Sequence, residues 1–563
     1  MDKDESYIIT MGIRLLNGDR MFDTMWELHM TSAWPAYLGL AFYQLATGTL
    51  EGSALFLRLL SVLVQFFAGW VTYLILKKYQ SRHTAVLAGI FVANFLPRAT
   101  QNLEYGLLQM IFVILAVLLL YDEVMRSDGE DALGKMNRGS VFRVVCAGIF
   151  YALGVLAYPT IILSFPVLLV ALYFCSGGKF RRKAMAAGAK KMGGWRLPVL
   201  FASACGICAL VFLGYVLSYL SIEEFVKNLQ GILMDGTHSD TLKTHTYLSQ
   251  IVELLKRTVV IGAAAAVGYF CSVGLLFVKR DSVRRMSTQR MLLGYYILMA
   301  GALIFIGFNI TGLRPSGPIG LQIRYILAAM VAILFALKMK SRVIGGLFLW
   351  SGIAVYVGAM IGSNMGFEEN ASFLYLAVLA AIILLAEYAR ERGERFCGIG
   401  YLCLGCFVFS LIFGKAYLVR VTGTSPANIT EERVRIDDGV FLGIYVYPEE
   451  AFTYEVKEQE MRANSGKEDV VLYLGNDAIC NTFTAGSFIS ATCISTPVYN
   501  EQWVMYYQNE NHPQPTVIFL DKDIIKTVGD FEASEYGAWL MECYELTEED
   551  FFESDAFFIL RMK

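Results

Sequence analysis

Two adjacent carboxylates near the N-terminus are the first residues that could do chemistry. Asp4 and Glu5 begin a segment in which apolar residues recur at helical spacing and which ends at Asn17-Gly18. A carboxylate can take the proton of an attacking hydroxyl, so the pair could supply a general base. An acidic pair at a helix start also serves as a cap and complements the helix dipole, and both interpretations stay open.

Cationic side chains that could hold a phosphate group occur at the heads of two apolar runs. Arg58 lies near the start of the first clear run, where its guanidinium could bind a lipid phosphate or simply snorkel to the headgroups. Arg324 and Tyr325 open a later run, at a position where interfacial anchors are also common.

Glu104 and His29 are further polar residues beside apolar runs. Glu104 is the only carboxylate of the short connection 98–105, where a carboxylate must be solvated or paired, and Arg98 is its natural local partner. His29 precedes the interrupted apolar run that contains Trp34 and Pro35. It could contact a substrate or be a packed or solvated histidine.

The sequence predicts no cofactor and no metal site. Four residues of the loop 220–257 could chelate a divalent ion, although polar loops collect such residues by chance: Asp235, His238, Asp240 and His245. The CxxC spacings at 205–208 and 403–406 lie in apolar runs without further ligands. Near the C-terminus, Cys480, Cys493 and Cys543 could form a disulfide if they face an oxidising compartment, or could be buried thiols.

The composition requires a lipid environment. The 563 residues are 56% hydrophobic and 17% charged, whereas soluble domains are about a quarter charged. The net charge is -3, and the basic residues gather in short clusters between apolar runs. Such clusters are topology signals, so no nucleic-acid partner is predicted.

The apolar runs predict a polytopic α-helical membrane protein with about twelve spans. They divide the chain into a first outer segment (1–53), a membrane domain (54–415) and a polar domain (416–563). Pro159 separates two of the runs. The runs are 54–76, 84–100, 106–121, 144–158, 160–175, 197–219, 258–278, 291–310, 324–338, 343–363, 372–387 and 397–414.

The positive-inside rule sets the expected orientation. Basic clusters at 77–78, 138–143, 179–191, 279–290, 338–342 and 390–395 alternate with outer loops and are expected in the cytoplasm. Both termini then face outward. An outward N-terminus without an apolar leader suggests a missing first span, and the alternative is that the first hairpin translocates the segment.

The two outer regions have different patterns. In residues 1–53 we expect a short helix on the membrane surface, capped by Asp4, followed by an interfacial segment. In residues 416–563 the sequence predicts strands at 470–474, 490–495, 516–520 and 557–561, and helices within 447–463 and 532–552. This pattern predicts an extracytoplasmic α/β domain in which Gly475-Asn476-Asp477 forms a turn.

Several of these strings resemble the GT-C superfamily of membrane glycosyltransferases. They are DESY, a helix ending in LLNGD, His29 before an apolar run, FLRLLSVL at the head of a span and the late RYILAAM. The similarity covers about residues 1–415 and is to protein O-mannosyltransferases and the lipid A aminoarabinose transferase, including their bacterial relatives. The His-Pro-containing stretch of that family is only partly present, because Met30-Thr31-Ser32 follows His29 and the proline comes at Pro35.

The resemblance implies an inverting sugar transfer at the outer face of a bacterial cytoplasmic membrane. A polyprenyl-phosphate-linked sugar would be the donor, and a glycan, lipid or protein outside the cytoplasm the acceptor. The catalytic residues would be Asp4 as base, with Glu5 and Glu104, and the substrate-binding residues Arg58, Arg324, Tyr325 and His29. A transporter or lipid flippase, or an inert scaffold, remains the alternative, but ionisable residues at span ends and no inverted repeat favour a transferase.

Overall fold

The structure is a computed structural model. It describes residues 3–97, 101–127, 137–175, 194–234, 318–363, 369–391, 404–409, 432–484, 486–493 and 499–562, together with residues 252, 367, 401, 411 and 412.

Among the described residues, helices dominate the first two thirds of the chain, and a mixed sheet with helices follows. The α-helices are α1 (Lys3–Leu16), α2 (Trp34–Thr47), α3 (Ser53–Leu76), α4 (Arg82–Asn94), α5 (Tyr105–Ser127), α6 (Arg138–Ala157), α7 (Phe165–Cys175), α8 (Arg196–Val216), α9 (Ile222–Leu233), α10 (Pro318–Met339), α11 (Ser351–Ile361), α12 (Tyr375–Glu391), α13 (Pro448–Ala463), α14 (Glu501–Tyr507), α15 (Val528–Glu532) and α16 (Glu535–Cys543). The strands are β1 (Val434–Arg435), β2 (Tyr445–Val446), β3 (Val470–Leu474), β4 (Ser487–Phe488), β5 (Val517–Asp521), β6 (Phe551–Glu553) and β7 (Phe557–Arg561).

Six helices in the described part of the chain are long and apolar enough to cross a membrane, so the chain is an integral membrane protein. They are Ser53–Leu76, Tyr105–Arg126, Arg138–Ala157, Arg196–Val216, Ile344–Ile361 and Asn370–Glu391, and the shorter apolar helices are Pro159–Cys175 and Ala328–Met339. The predicted break at Pro159 is confirmed, because a 3-10 helix begins there after α6 ends. The predicted runs 258–278 and 291–310 lie outside the described residues.

One of the predicted spans is shorter than expected. Residues 84–100 were predicted to cross the membrane, but α4 has 13 residues and ends where Phe95 adopts an extended conformation. At about 1.5 Å per residue, such a helix covers roughly 20 Å of the 30 Å hydrocarbon core. Since Pro97 follows two residues later, the helix cannot simply be continued through this stretch.

The far ends of α3 and α5 meet the start of α6 through ion pairs. Lys78 Nζ lies 3.1 Å from Asp122 Oδ1, and an Arg143 guanidinium nitrogen lies 2.7 Å from Glu123 Oε2. Lys78 follows α3, whereas Arg58 lies in its first two turns. Two of the predicted cytoplasmic clusters, 77–78 and 138–143, therefore share the end of the helix bundle opposite to Arg58.

Helix α1 is enclosed by protein and does not lie on the membrane surface. Its apolar residues Ile8, Ile9 and Ile13 are buried, and so is Arg14 on its last turn. The helix packs on α2 and on the 3-10 helix Ala478–Thr482 of the C-terminal domain. The amphipathic pattern was predicted correctly, but the apolar face meets α2 and the C-terminal domain. The helix begins at Lys3, so Asp4 lies in its first turn and is not its N-cap.

The C-terminal domain contains a five-stranded sheet, which confirms the predicted α/β class. The strand order is β4-β3-β5-β7-β6, with β3 parallel to β4 and β5, and with β7 antiparallel to β5 and β6. Strands β3 and β7 have the predicted bounds. Residues 490–493 of the strand predicted at 490–495 are not in a strand, because the chain pairs with β3 earlier, at Ser487–Phe488, and residues 494–495 lie outside the described residues. The predicted acidic helix at 532–552 is not continuous, and this stretch contains the last residue of α15, all of α16 and the first two residues of strand β6.

An ion pair is buried at the carboxyl end of β5. Lys457 Nζ of α13 lies 2.8 Å from Asp521 Oδ2, which also accepts a hydrogen bond from the Tyr473 hydroxyl at 2.6 Å. Burial acts to lower the pKa of Lys457, but the charge of Asp521, the neighbouring Cys480 and the hydrogen bonds to Asp521 and Asp523 together outweigh it, and the pKa rises above its ordinary value. These contacts fix α13 on one face of the sheet. The turn predicted at Gly475-Asn476-Asp477 leads from β3 into the 3-10 helix Ala478–Thr482.

Candidate functional site

The start of α1 meets the start of α3 in a bidentate ion pair between Glu5 and Arg58. Arg58 Nε donates to Glu5 Oε1 at 2.5 Å, and a terminal guanidinium nitrogen donates to Glu5 Oε2 at 2.6 Å. The side chain of Glu5 is 1% exposed and that of Arg58 is 35% exposed. The structure thus brings together two of the predicted site residues. Two parallel charge-assisted bonds hold the guanidinium plane in a defined orientation.

Asp4 adds a second carboxylate to this place. It is half-buried and precedes Glu5 in the first turn of α1. Because successive helical residues point about 100° apart, Asp4 and Glu5 face different directions.

Glycines allow α1 and α3 to approach α2 closely. A Cβ at Gly12 would lie 2.8 Å from Leu40 Cδ1 and 3.2 Å from the backbone nitrogen of Tyr37. A Cβ at Gly39 would lie 2.7 Å from Leu57 Cδ2. The connection from α2 to α3 places Gly48 and Gly52 in the left-handed region, with φ of 78° and 75°. These small residues set the geometry in which Glu5 reaches Arg58.

A ladder of buried polar side chains continues from Arg58 along the same face of α3. The Ser61 hydroxyl donates to the carbonyl of Arg58, and Gln101 Nε2 donates to Ser61 Oγ at 3.0 Å and to Gln65 Oε1 at 3.3 Å. Gln65 Nε2 in turn donates to the carbonyls of Val92 and Phe95. Ser61 and Gln65 were not among the predicted site residues. Their signal was present, because positions 58, 61 and 65 have helical spacing in an otherwise apolar run.

Glu104 caps the N-terminus of α5. Its oxygens accept hydrogen bonds from the backbone nitrogens of Gly106 at 2.6 Å and Leu107 at 2.7 Å, and the residue is buried. Burial of this carboxylate is compensated by the positive end of the helix dipole. The position of the expected partner Arg98 lies outside the described residues. This geometry favours a structural role for Glu104, and its catalytic role stays a prediction.

His29 packs in an aromatic group beside the cap. Its ring stacks on Tyr105, with centroids 4.0 Å apart and planes within 6°, and the Tyr158 ring lies 5.4 Å away. Tyr105 is the first residue of α5, so the histidine packs against the helix that Glu104 caps. Of the two alternatives that the sequence left open for His29, the structure shows the packed histidine. Substrate binding by His29 stays a prediction.

Tyr325 lies deeper in the helix bundle than a surface anchor would. Its hydroxyl donates to the carbonyl of Leu411 at 3.1 Å, and its ring meets that of Phe95 edge to face at 5.1 Å. Phe95 is the residue whose carbonyl accepts from Gln65, so the ring of Tyr325 packs against the residue at the far end of the polar ladder. Arg324 belongs to the same helix, α10, and its side chain lies outside the described residues.

A buried hub at the other end of α1 joins it to the C-terminal domain. Glu27 Oε1 accepts from Arg14 at 3.1 Å and from the backbone nitrogen of Cys493 at 2.7 Å. Its Oε2 accepts from the Tyr7 hydroxyl at 2.9 Å and the Thr492 hydroxyl at 2.7 Å. Burial acts to lower the pKa of Arg14, but nearby acidic groups raise it well above its ordinary value, so the guanidinium stays charged. This hub was not predicted from the sequence.

Among the described residues, no group of three or more His, Cys, Asp or Glu side chains is arranged to hold a metal ion. The proposed chelating residues of the loop 220–257, which are Asp235, His238, Asp240 and His245, lie outside the described residues. Metal binding by that loop stays a prediction.

Comparisons with known proteins give distant structural likeness. Similar solved structures include the Archaeoglobus fulgidus oligosaccharyltransferase AglB in complex with an inhibitory peptide and a dolichol-phosphate, at 12% identity and a TM-score of 0.48, covering 96% of this chain and 68% of that chain. The Archaeoglobus fulgidus oligosaccharyltransferase tethered with an acceptor peptide containing the NVT sequon has 13% identity and a TM-score of 0.49, with 100% and 70% covered. Its apo form has 13% identity and a TM-score of 0.49, with 96% and 68% covered.

No family model matches the chain, and no curated protein matches it in sequence. At such low identity the likeness is too distant to assign a donor or an acceptor.

Proposed function

We propose that this chain is an inverting glycosyltransferase of the GT-C type, which moves a sugar from a polyprenyl-phosphate donor to an acceptor outside the cytoplasm. The observation that supports the proposal most is the bidentate Glu5–Arg58 pair with Asp4 beside it. The pair lies at the end of α3 opposite to the basic cluster at Lys78. If the basic end is cytoplasmic, the pair faces the outer side of a bacterial cytoplasmic membrane.

The residues suit direct displacement at the anomeric carbon. An acceptor hydroxyl oxygen forms the new bond to that carbon while the bond from the carbon to the phosphate oxygen breaks, which inverts the configuration. Asp4 takes the proton of the hydroxyl, and the electron pair leaves with the polyprenyl phosphate. Arg58 stabilises the phosphate charge that develops, and Arg324 would supply a second cation.

Glu5 has a positioning role in this scheme. A lysine or arginine close to a lipid-phosphate site would otherwise be free to adopt many rotamers, because its side chain carries about 2 kcal/mol of rotamer entropy. The bidentate contact with a fully buried carboxylate removes much of that freedom before the donor binds. The guanidinium is thus prepared for the phosphate while about a third of the Arg58 side chain remains exposed.

The test is donor turnover by the purified full chain reconstituted in liposomes, measured as release of polyprenyl phosphate from a set of polyprenyl-phosphate hexoses with a mixture of glycans, lipids and peptides as acceptors. Asp4→Asn removes the base but keeps the shape, so turnover should fall by about 10²–10⁴-fold. Glu51→Gln is the matched control, because Glu51 is an exposed carboxylate in the same N-terminal segment. Turnover that is unchanged in Asp4→Asn would reject Asp4 as the base. Movement of intact donor across the membrane without release of polyprenyl phosphate would indicate the alternative, a lipid flippase.

A further inference from the structure

The C-terminal domain has a second site that the transfer scheme does not use. A cavity of about 520 Å³ opens beside the β6 edge of the sheet. Its volume falls within the roughly 300–1,000 Å³ of pockets that bind small molecules. The lining residues that matter here are Asn464, Tyr544, Glu545, Asp550, Phe552 and Arg561.

Two aromatic side chains of the cavity are exposed although the domain buries most of its aromatic residues. Phe552 is 63% exposed and Tyr544 is 43% exposed, whereas Trp503, Tyr506 and Tyr536 are almost fully buried. An exposed aromatic ring loses the stabilisation that burial would provide, about 25 cal/mol per Å² of apolar surface. Exposed rings grouped in one concave site therefore indicate a ligand with an apolar face.

The polar side chains of the cavity are held in place by their own hydrogen bonds. Asp550 Oδ2 accepts from the backbone nitrogen of Thr547 at 2.8 Å and from its hydroxyl at 3.0 Å. A terminal nitrogen of Arg561 donates to the carbonyl of Asn464 at 2.8 Å. Planar carboxylate and guanidinium groups fixed in this way can form hydrogen bonds with a ligand at little entropic cost.

This combination matches the surface of a pyranose. A sugar ring presents a face of C–H groups, which packs on an aromatic ring, and a rim of hydroxyl groups, which bind carboxylate and guanidinium groups. Two carboxylates, Glu545 and Asp550, and one guanidinium, Arg561, give the cavity a mixed charge. Arg561 also lies 3.6 Å from Asp469. A site with both signs of charge favours a ligand without net charge, and among such ligands a neutral saccharide fits the exposed rings.

The cavity is remote from the part of the sheet that faces α1. The segment after β4 bonds to the N-terminal region, because Trp26 donates its backbone N–H to the carbonyl of Ala491. Strands β4 and β6 are the two opposite edges of the sheet. Four strand spacings of about 4.8 Å separate them, which is roughly 19 Å.

We propose that this cavity binds a neutral saccharide unit of the acceptor, away from the hydroxyl that reacts. The proposal rests on the proposed transferase function and narrows it, because the acceptor is then a glycan that is long enough to span both places. The C-terminal domain holds the chain of the acceptor, while Asp4 and Arg58 act at its end. A protein or simple lipid acceptor would have no unit for this cavity.

The experiment measures binding to the full chain in detergent by saturation-transfer NMR, with no donor present. The probes are neutral trisaccharides of the gluco, galacto, manno and 2-acetamido series, together with an uncharged decapeptide. Phe552→Ala removes the exposed ring, and Phe552→Tyr retains a ring. Phe452→Ala is the matched control, because Phe452 is an exposed phenylalanine of the same domain, at 68%, and does not line the cavity.

We expect at least one trisaccharide series to bind, with affinity about tenfold lower in Phe552→Ala, which corresponds to about 1.4 kcal/mol. Phe552→Tyr and Phe452→Ala should bind like the unmodified chain. No binding to any trisaccharide, equal binding by Phe552→Ala, or binding of the decapeptide alone would overturn the proposal. Because donor is absent, saccharide binding can persist even if the Asp4→Asn test rejects the transferase, so the two failures are distinguishable.

Discussion

Arg14 and Glu27 form an ion pair of 3.1 Å in which both side chains are fully buried. Arg14 lies in the last turn of the helix whose first turn contains Asp4 and Glu5, and the same Glu27 carboxylate accepts hydrogen bonds from Thr492 and Cys493 of the C-terminal domain. The pair therefore fixes the helix of the proposed base and the C-terminal domain to one another. Isolated buried charges are costly, and here the additional donors to Glu27 offset the desolvation of the pair.

Loss of the Glu27 carboxylate should destabilise the protein strongly. In Glu27→Ala, Arg14 keeps Asp19 as an ionic partner, but the hydroxyls of Tyr7 and Thr492 and the backbone nitrogen of Cys493 lose an acceptor. Breaking a buried pair costs about 3–5 kcal/mol. Thermal melting of the full chain and proteolysis of the C-terminal domain would measure the loss. Glu51→Gln should melt like the unmodified chain, and an unchanged melt of Glu27→Ala would show that the hub carries little stability.

The Glu5–Arg58 pair predicts a difference between arginine and lysine. Lysine keeps the charge but cannot form two parallel bonds with one carboxylate, so Arg58→Lys should lower donor turnover. Arg58→Ala should lower it further, by about 10²–10³-fold, as expected for the loss of a group that stabilises developing charge. Release of polyprenyl phosphate from the donor is the measurement.

A double variant separates stability from chemistry at this pair. Arg58→Ala leaves Glu5 buried without the guanidinium seen in the structure, so part of its defect will be instability. Adding Glu5→Gln removes the buried charge and should restore the melting temperature of Arg58→Ala without restoring turnover. If the double variant regained turnover, Arg58 would serve only to neutralise Glu5 and would not act on the donor phosphate.

Glu104 gives a prediction that distinguishes a cap from a catalytic acid or base. Glu104→Gln keeps one carbonyl oxygen that can accept from Gly106 or Leu107, whereas it cannot act as a base. A weakened cap costs about 1 kcal/mol of stability, while a lost base lowers the rate by about 10²–10⁴-fold. We expect a small fall in melting temperature with donor turnover largely retained. A loss of turnover as large as that of Asp4→Asn would instead confirm the catalytic role predicted from the sequence.

Local patterns predicted the parts of the fold that depend on local forces. The end of α1 at Asn17-Gly18 follows from the left-handed conformation of Gly18, which has φ of 99°. Strands β3 and β7 are continuous apolar runs between turns and were predicted at their observed bounds. The apolar face of α1 was also correct. Its burial under the C-terminal domain was missed, because amphipathicity does not state whether lipid or protein covers the face.

Contacts between distant parts of the chain could not be predicted. Glu27 and Thr492 are 465 residues apart, and nothing in the residues around either one indicates the other. The bounds of β4 depend on such a contact too. A Cβ at Gly486 would lie 2.2 Å from the carbonyl of Asp469, so only glycine permits the approach that starts β4 at Ser487. Strand propensity alone placed this strand three residues later.

The cysteines of the C-terminal domain supply a chemical test of this packing. Cys480 and Cys493 are buried free thiols, and Cys543 is an exposed one, so of the two states that the sequence left open the structure shows unpaired thiols. Burial raises the pKa of both Cys480 and Cys493 well above the ordinary thiol value. The thiolate is the reactive form, so a raised pKa and low exposure both slow alkylation, and the slowing persists as the pH rises through about 8.5.

Alkylation of the native full chain with a water-soluble maleimide between pH 7 and pH 9, followed by peptide mass spectrometry, should modify Cys543 first. Cys480 and Cys493 should react at the rate of Cys543 only after denaturation, without a reducing agent.

The variant Glu27→Ala supplies the sharper comparison, because Glu27 accepts a hydrogen bond from the backbone nitrogen of Cys493 and makes no hydrogen bond of this kind with Cys480. Opening of the hub should therefore expose Cys493 before Cys480. Equal protection of the two thiols in Glu27→Ala would mean that the C-terminal domain remains docked without the Glu27 carboxylate. If alkylation of Cys480 and Cys493 in the denatured chain required a reducing agent, the two residues would not be free thiols.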